Sequence, residues 1–259
     1  ITIKKLSLSI MKGFGGENKK YKISEKTPKQ PSKEQIINQA IRLHLKGNIQ
    51  EAAKYYQYCI NQNFNDHRVF SNYAGILQSI GKLKEAKISL LKAIELDPAD
   101  AKAHYNLGRI LCDLGKLKEA EIEFRKAIKF NPDYAKAHYN LGHILCDLGE
   151  LKEAEFLYRK AIQLNPNLAE AYSNLGNILI NLGQLKEGEL YSRKAIQLNP
   201  NLAVAYFSLT QLRYSNDNQK WKDQLFSENI LINNSKKDQV NIYFARSNIL
   251  HNKRNFEES

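Results

Sequence analysis

The stretch AKAHYNLGRILCDLGKLKEAEIEFRKAIKFNP, Ala101 to Pro132, returns as AKAHYNLGHILCDLGELKEAEFLYRKAIQLNP from Ala135 to Pro166, at a step of 34. The second copy departs from the first only at the places of Arg109, Lys116, Ile122, Glu123, Phe124, Lys129 and Phe130. A fixed period of this length limits the chain to architectures built by repeating one small unit. Counting from Ala101, repeat position 8 is small five times over (Ala40, Ala74, Gly108, Gly142, Gly176) and position 15 is always glycine (Gly47, Gly81, Gly115, Gly149, Gly183). Position 20 is again small (Ala52, Ala86, Ala120, Ala154, Gly188), position 27 reads Cys59, Ala93, Ala127, Ala161, Ala195, and position 32 reads Phe64, Pro98, Pro132, Pro166, Pro200.

Within one unit the pattern predicts two helices. Ala103, Leu107, Ile110 and Leu114 are spaced 4, 3, 4 and share one helical face, while a second stripe, Leu117, Ala120, Phe124, Ala127 and Ile128, begins after the glycine. Glycine at position 15 supplies the backbone that ends helix A and lets helix B fold back. Asn-Pro ends helix B, because the residue before proline avoids the α region and proline cannot continue the hydrogen-bond ladder. Small residues at 8, 20 and 27 allow close helix approach. A lone hairpin leaves its apolar stripe bare; stacked hairpins bury it.

Tyr105, Leu107, Gly108, Leu111, Ala120, Phe124, Ala127 and Pro132 resemble the tetratricopeptide repeat (TPR) signature, a 34-residue helix-turn-helix unit. The resemblance implies an all-α, right-handed α-solenoid of TPR hairpins, with five units over 33–66, 67–100, 101–134, 135–168 and 169–202. Two local departures stand out: Ser192 in place of the position-24 aromatic, with Tyr191 one place earlier, and Phe64 in place of the first proline.

The net charge is +12, and the segment from Ile1 to Lys33 supplies more than half of the excess, with nine lysines against Glu17 and Glu25. With Gly13, Gly15, Gly16, Pro28 and Pro31 among the lysines and no apolar period, the stretch 1–32 reads as a disordered basic arm. Such an arm can contact phosphates, but lysines outnumber arginines 30 to 9 and its only aromatics are Phe14 and Tyr21, so nucleic acid is not the expected partner. Met11 is the expected start, with ITIKKLSLSI as upstream read-through. No run approaches the roughly 18 apolar residues of a membrane span. The expectation is a cytoplasmic, soluble protein without membrane contact.

Nothing in the sequence points to catalysis: there is no glycine-rich phosphate loop, nucleophile elbow or zinc-protease helix motif. Cys112 and Cys146 share position 12 of neighbouring units, so a helix lies between their parent helices. Packed helices are already roughly 8–10 Å apart, beyond the roughly 7 Å Cα limit for a disulfide. His143, Cys146 and Cys112 form the one candidate soft-ligand trio, but helix A has no second His at i+4, Arg109 intrudes, and duplication alone produces the set. Neither a metal nor a cofactor is expected. His104 and His138 are expected to pack, and Cys59 to be buried and inert.

TPR solenoids place helix A along the concave side, so by resemblance positions 2, 6, 9 and 13, about 100° from the core stripe, line a groove. That stripe holds Arg68 and Asn72, then Lys102, Asn106 and Arg109, then Lys136, Asn140 and His143, then Asn174, with Tyr105 and Tyr139 flanking it. Asn72, Asn106, Asn140 and Asn174 recur once per repeat at the same position. An amide carries an acceptor and two donors and can pair with a peptide backbone whatever its side chains. The column is similar to the asparagine ladder of O-linked N-acetylglucosamine transferases, which implies an extended polypeptide as ligand; merely solvated polar positions in copied units are the alternative. Arg68, Asn72, Asn106 and Lys136 also resemble four of five positions of the carboxylate clamp of cochaperone TPR domains, but Asn140 stands where the fifth cation belongs. This implies a preference for acidic or carboxylate-bearing peptides rather than a true clamp.

Beyond 202 the pattern weakens into a divergent helical pair over 203–239 containing Trp221, Leu225 and Phe226, followed at 240–259 by the start of a further, truncated unit marked by Tyr243, Ser247, Leu250 and Phe256. Lacking a polar cap, the chain is expected to be the N-terminal part of a longer protein. KGFGG, the lysine-rich arm and WKDQLFSENIL look like TPR proteins of marine picocyanobacteria in which such arrays precede a sulfotransferase or other transferase domain. The expected function is a protein-interaction scaffold holding an extended polypeptide; the alternative is the substrate-presenting arm of a transferase of sulfotransferase or glycosyltransferase type.

Overall fold

A computed structural model describes residues 31–212 and 219–257; the basic arm up to position 30 lies outside them. Among the described residues every regular element is a helix, and the chain parts into two compact units between Ala99 and Asp100.

The first unit contains α1 (Lys33–Leu45), α2 (Ile49–Asn61), α3 (His67–Ser79) and α4 (Leu83–Leu96). Ser32 starts α1 with a capping box: its hydroxyl accepts from the Gln35 N–H and the Gln35 side chain accepts from the Ser32 N–H. Where α2 ends, proline is absent and Asn63 takes the left-handed conformation (φ 56°). The Phe64 N–H then bonds the Cys59 carbonyl, and its ring turns inward against Tyr58, 6.3 Å between centroids. The missing proline is thus replaced by a Schellman stop whose following residue supplies the usual hydrophobic contact.

The second unit begins with α5 (Ala101–Asp113), α6 (Leu117–Phe130), α7 (Ala135–Asp147), α8 (Leu151–Leu164), α9 (Ala169–Asn181) and α10 (Leu185–Leu198). Each hairpin turns on the predicted glycine. Gly115, at φ 72°, sends its N–H to the Cys112 carbonyl and lets the Lys116 N–H reach the Leu111 carbonyl, at 2.9 and 2.8 Å. Helix B ends as expected: Asn131 is extended ahead of Pro132, and its side chain accepts from the Asp133 N–H.

The small positions are where helices A and B of one hairpin touch. Phe124 lies over Gly108 and Tyr158 over Gly142, both rings fully buried. In the third hairpin of this unit Gly176, Gly188 and Ser192 meet, and the backbones close in on each other instead of being held apart by a ring. Tyr191, displaced one place, packs instead against Tyr172 at 5.9 Å and accepts a hydrogen bond from Arg159 of α8.

Four further helices follow: α11 (Ala203–Thr210), α12 (Gln219–Phe226), α13 (Asn229–Ile232) and α14 (Lys236–Glu257). Tyr206, Leu209, Leu212, Trp221, Leu225, Ile230, Ile242 and Ala245 bury a continuation of the core. Arg246 donates to the carbonyls of Leu225 and Ser227, satisfying the end of α12. α14 is one uninterrupted helix that begins before position 240, and its other face exposes Tyr243, Phe244 and Leu250. No helix among the described residues is long and apolar enough to cross a membrane.

Candidate functional site

In the first unit, Arg68 opens α3 and is already committed. Its guanidinium grips Asp66 (3.0 and 2.7 Å) and Glu34 of α1 (3.1 and 2.8 Å). Both carboxyls are held below their usual range, each chiefly by the hydrogen bond from Arg68. An incoming carboxylate would have to displace these two, and Glu34 holds in the first unit the same repeat position 2 that Arg68 holds in the second. Asn72, half-buried, hydrogen-bonds the hydroxyl of the fully buried Tyr56.

In the second unit the same column stands on α5, α7 and α9. Asn106, Asn140 and Asn174 are half-buried, bordered by exposed Lys102, Arg109 and Lys136. Among the described residues no carboxylate forms an ion pair with any of these three cations. Tyr105 is buried and Tyr139 half-buried, and both act as inter-repeat acceptors. The Asn140 amide donates to the Tyr105 hydroxyl at 3.2 Å, and the Asn174 amide donates to Tyr139 at 3.4 Å and to Tyr158 at 3.2 Å. Burial raises the pKa of all three phenols, so they stay neutral. Tyr105 also packs on Tyr134, 4.8 Å between centroids.

These bonds give the asparagines a structural duty alongside any ligand contact. One amide N–H of Asn140 points back to the previous repeat, while its oxygen takes no hydrogen bond among the described residues. Among the described residues Asn106 forms no hydrogen bond of this kind. The signal for the bracket was present in the sequence: Tyr105 and Tyr139, at position 5, stand one repeat and one place before Asn140 and Asn174, while Tyr56 and Tyr158, at position 24, stand about half a repeat before Asn72 and Asn174.

Other polar groups of the repeats are accounted for by packing. His104 and His138 are buried; His104 Nδ1 lies 2.6 Å from Glu123 Oε2, and His138 Nε2 lies 2.8 Å from the Pro132 carbonyl. Cys59 is fully buried and its thiol is pushed up to about 12, first by burial and then by Asp66. Cys112 and Cys146 are also raised by burial, which leaves thiols rather than reactive thiolates. Cys146 contacts the Tyr158 hydroxyl at 3.7 Å and His143 pairs with Asp147 at 3.5 Å; among the described residues no metal-binding group of three or more His, Cys, Asp or Glu forms.

Three family models of the tetratricopeptide repeat match the chain: a TPR repeat model over 108–145 and 142–183, and two tetratricopeptide repeat models over 89–122 and over 67–100 and 169–209. Together they span 67–209, more than half of the chain. Among solved structures, YrrB, described as a TPR protein with an unusual peptide-binding site, is 26% identical with a TM-score of 0.59, over 75% of this chain and 99% of that one. A MamA structure is 27% identical with a TM-score of 0.56, over 62% of this chain and 94% of that one. PilF of Pseudomonas aeruginosa, at 17% identity, shares the fold over 80% of this chain and 95% of that one, with a TM-score of 0.69. Among curated proteins, none matches the sequence.

Proposed function

This chain belongs to the tetratricopeptide-repeat proteins, and on that premise we propose that its second unit holds an extended polypeptide along the exposed faces of α5, α7 and α9. The supporting observation is the column Asn106, Asn140 and Asn174, half-buried and oriented in part by tyrosines, beside Lys102, Arg109 and Lys136, cations without an ion pair among the described residues. The amide oxygens accept from the ligand's peptide N–H groups. The cations receive carboxylates, and the acidic preference rests on them, since Arg68 is held by Asp66 and Glu34. The peptide-binding site ascribed to YrrB supports the same class of ligand. The protein acts as an interaction scaffold, and no residue of the repeats is assigned a catalytic role. The transferase-arm alternative draws nothing from the matched models, all of which are tetratricopeptide models.

Asn106→Ala is the cleanest test, because this side chain takes no part in the tyrosine bracket. Against unstructured, carboxylate-bearing peptides, calorimetry should show binding weakened by about fivefold to tenfold, the value of one hydrogen bond of roughly 1 kcal/mol, with thermal stability unchanged. Unchanged affinity in Asn106→Ala and in Asn106→Ala with Lys102→Ala would end the proposal.

A further inference from the structure

A second periodic column lies on the B helices, away from the asparagines. At repeat position 22 stand Ile122 on α6, Phe156 on α8 and Leu190 on α10, which are 54%, 66% and 66% exposed. A B helix with polar solvent-facing positions would carry no such row. Each of these residues sits four places after one lysine and four before another: Lys118 and Lys126, Lys152 and Lys160, Lys186 and Lys194. At a helical spacing of i, i+4, i+8, each helix presents a lysine–apolar–lysine ridge on one face. The three ridges are neighbours, because Arg125 of α6 pairs with Glu153 of α8 at 2.7 Å and Arg159 of α8 with Glu187 of α10 at 2.9 Å.

The charges beside this row are unequally compensated. Glu121, Glu153, Glu155, Glu187 and Glu189 are each taken by an arginine. Lys118, Lys152 and Lys186 form no ion pair among the described residues, and Lys160 and Lys194 bond only the neutral Gln163 and Gln197. Lys126 is held by Glu123 at 2.8 Å, so what remains is an apolar row bordered by five lysines that have no carboxylate partner among the described residues.

We propose that this face is a second docking surface, distinct from the asparagine column, and that it takes an amphipathic helix whose apolar stripe is bordered by carboxylates. An amphipathic helix laid across α6, α8 and α10 sets its apolar stripe over Ile122, Phe156 and Leu190, and acidic residues beside that stripe reach the lysines. A discrete peptide fits better than an anionic bilayer, because Glu153 and Glu187, each 40% exposed at the side chain, stand beside the row. A peptide can set its carboxylates over lysines only, whereas a plane of anionic headgroups would also face these glutamates.

The probe is a fluorescein-labelled synthetic helix three heptads long, with leucine on the stripe and glutamate beside it, titrated with the full 259-residue chain and read by fluorescence anisotropy. Phe156→Asp and, separately, Lys118→Glu with Lys152→Glu should each weaken binding at least tenfold with unchanged circular dichroism. Asn106→Ala should leave it unaltered, and a probe with lysine in place of glutamate should not bind. The proposal is overturned if the probe fails to bind the native chain, if Phe156→Asp binds it equally well, or if Asn106→Ala alone abolishes binding. It is also overturned if Phe156 governs adhesion to phosphatidylserine vesicles or self-association in sedimentation while the probe is ignored.

Discussion

At Gly108 a β-carbon would stand 2.8–3.0 Å from the Phe124 ring, which is fully buried and has nowhere to go. Alanine normally improves a helix interior over glycine by up to about 1 kcal/mol, but overpacking of this kind costs about 1–3 kcal/mol. Gly108→Ala should therefore lower the urea midpoint, while Gly75→Ala, where nothing lies within 4 Å, should raise it. Glu123 behaves as a second residue-scale sensor. Burial pushes its carboxyl up, but hydrogen bonds from His104 and Lys126 outweigh it and hold it below the usual range. A carboxyl depressed in the folded state stabilises the fold above its unfolded pKa of about 4.3, and that contribution is lost as pH falls through the folded value. The stability gap between the native chain and Glu123→Gln should accordingly be present at pH 7 and close below about pH 4. The glycines and apolar columns were legible because each is forced by local backbone or packing. The Glu34–Arg68 pair was legible only in part: both residues hold repeat position 2, in successive units, but that their side chains meet required the two helices to be placed in space. The stripe position of Arg68 read as a ligand contact, and its geometry commits it to Asp66 and Glu34 instead.

At the scale of elements, the hairpin of α9 and α10 shows how one substitution is absorbed by another. Ser192 looks like a lost aromatic, yet Gly188 replaces the alanine found in the other units, and the two helices close until Gly176 and Ser192 touch. Restoring the aromatic by Ser192→Phe should destabilise the chain by about 1–3 kcal/mol, measurable as a lower thermal midpoint, even though it moves the sequence toward its neighbours. Helix count, turn glycines and proline stops in 33–202 followed from the period because each unit repeats one local solution. Beyond 202 the same reasoning thins out: α14 runs from Lys236 to Glu257 without the glycine that would divide it, and its place is set by contacts of Ile242 and Ala245 in the core that no local period announces.

At the scale of the whole molecule, two kinds of periodic column divide the labour. Columns that are buried build the solenoid; columns that are half-buried or exposed, asparagine on the A helices and lysine–apolar–lysine on the B helices, are offered for contact. The asparagine column was readable from sequence, and so was the spacing of the tyrosines that bracket Asn140 and Asn174, but their meeting across repeats emerged only in space. The most direct test is side-chain amide NMR of the chain during titration with an extended carboxylate-bearing peptide. The account predicts that the amide resonances of Asn106, Asn140 and Asn174 move together along one binding curve. Stationary asparagine amides, with the movement confined to the surroundings of Ile122, Phe156 and Leu190, would contradict it.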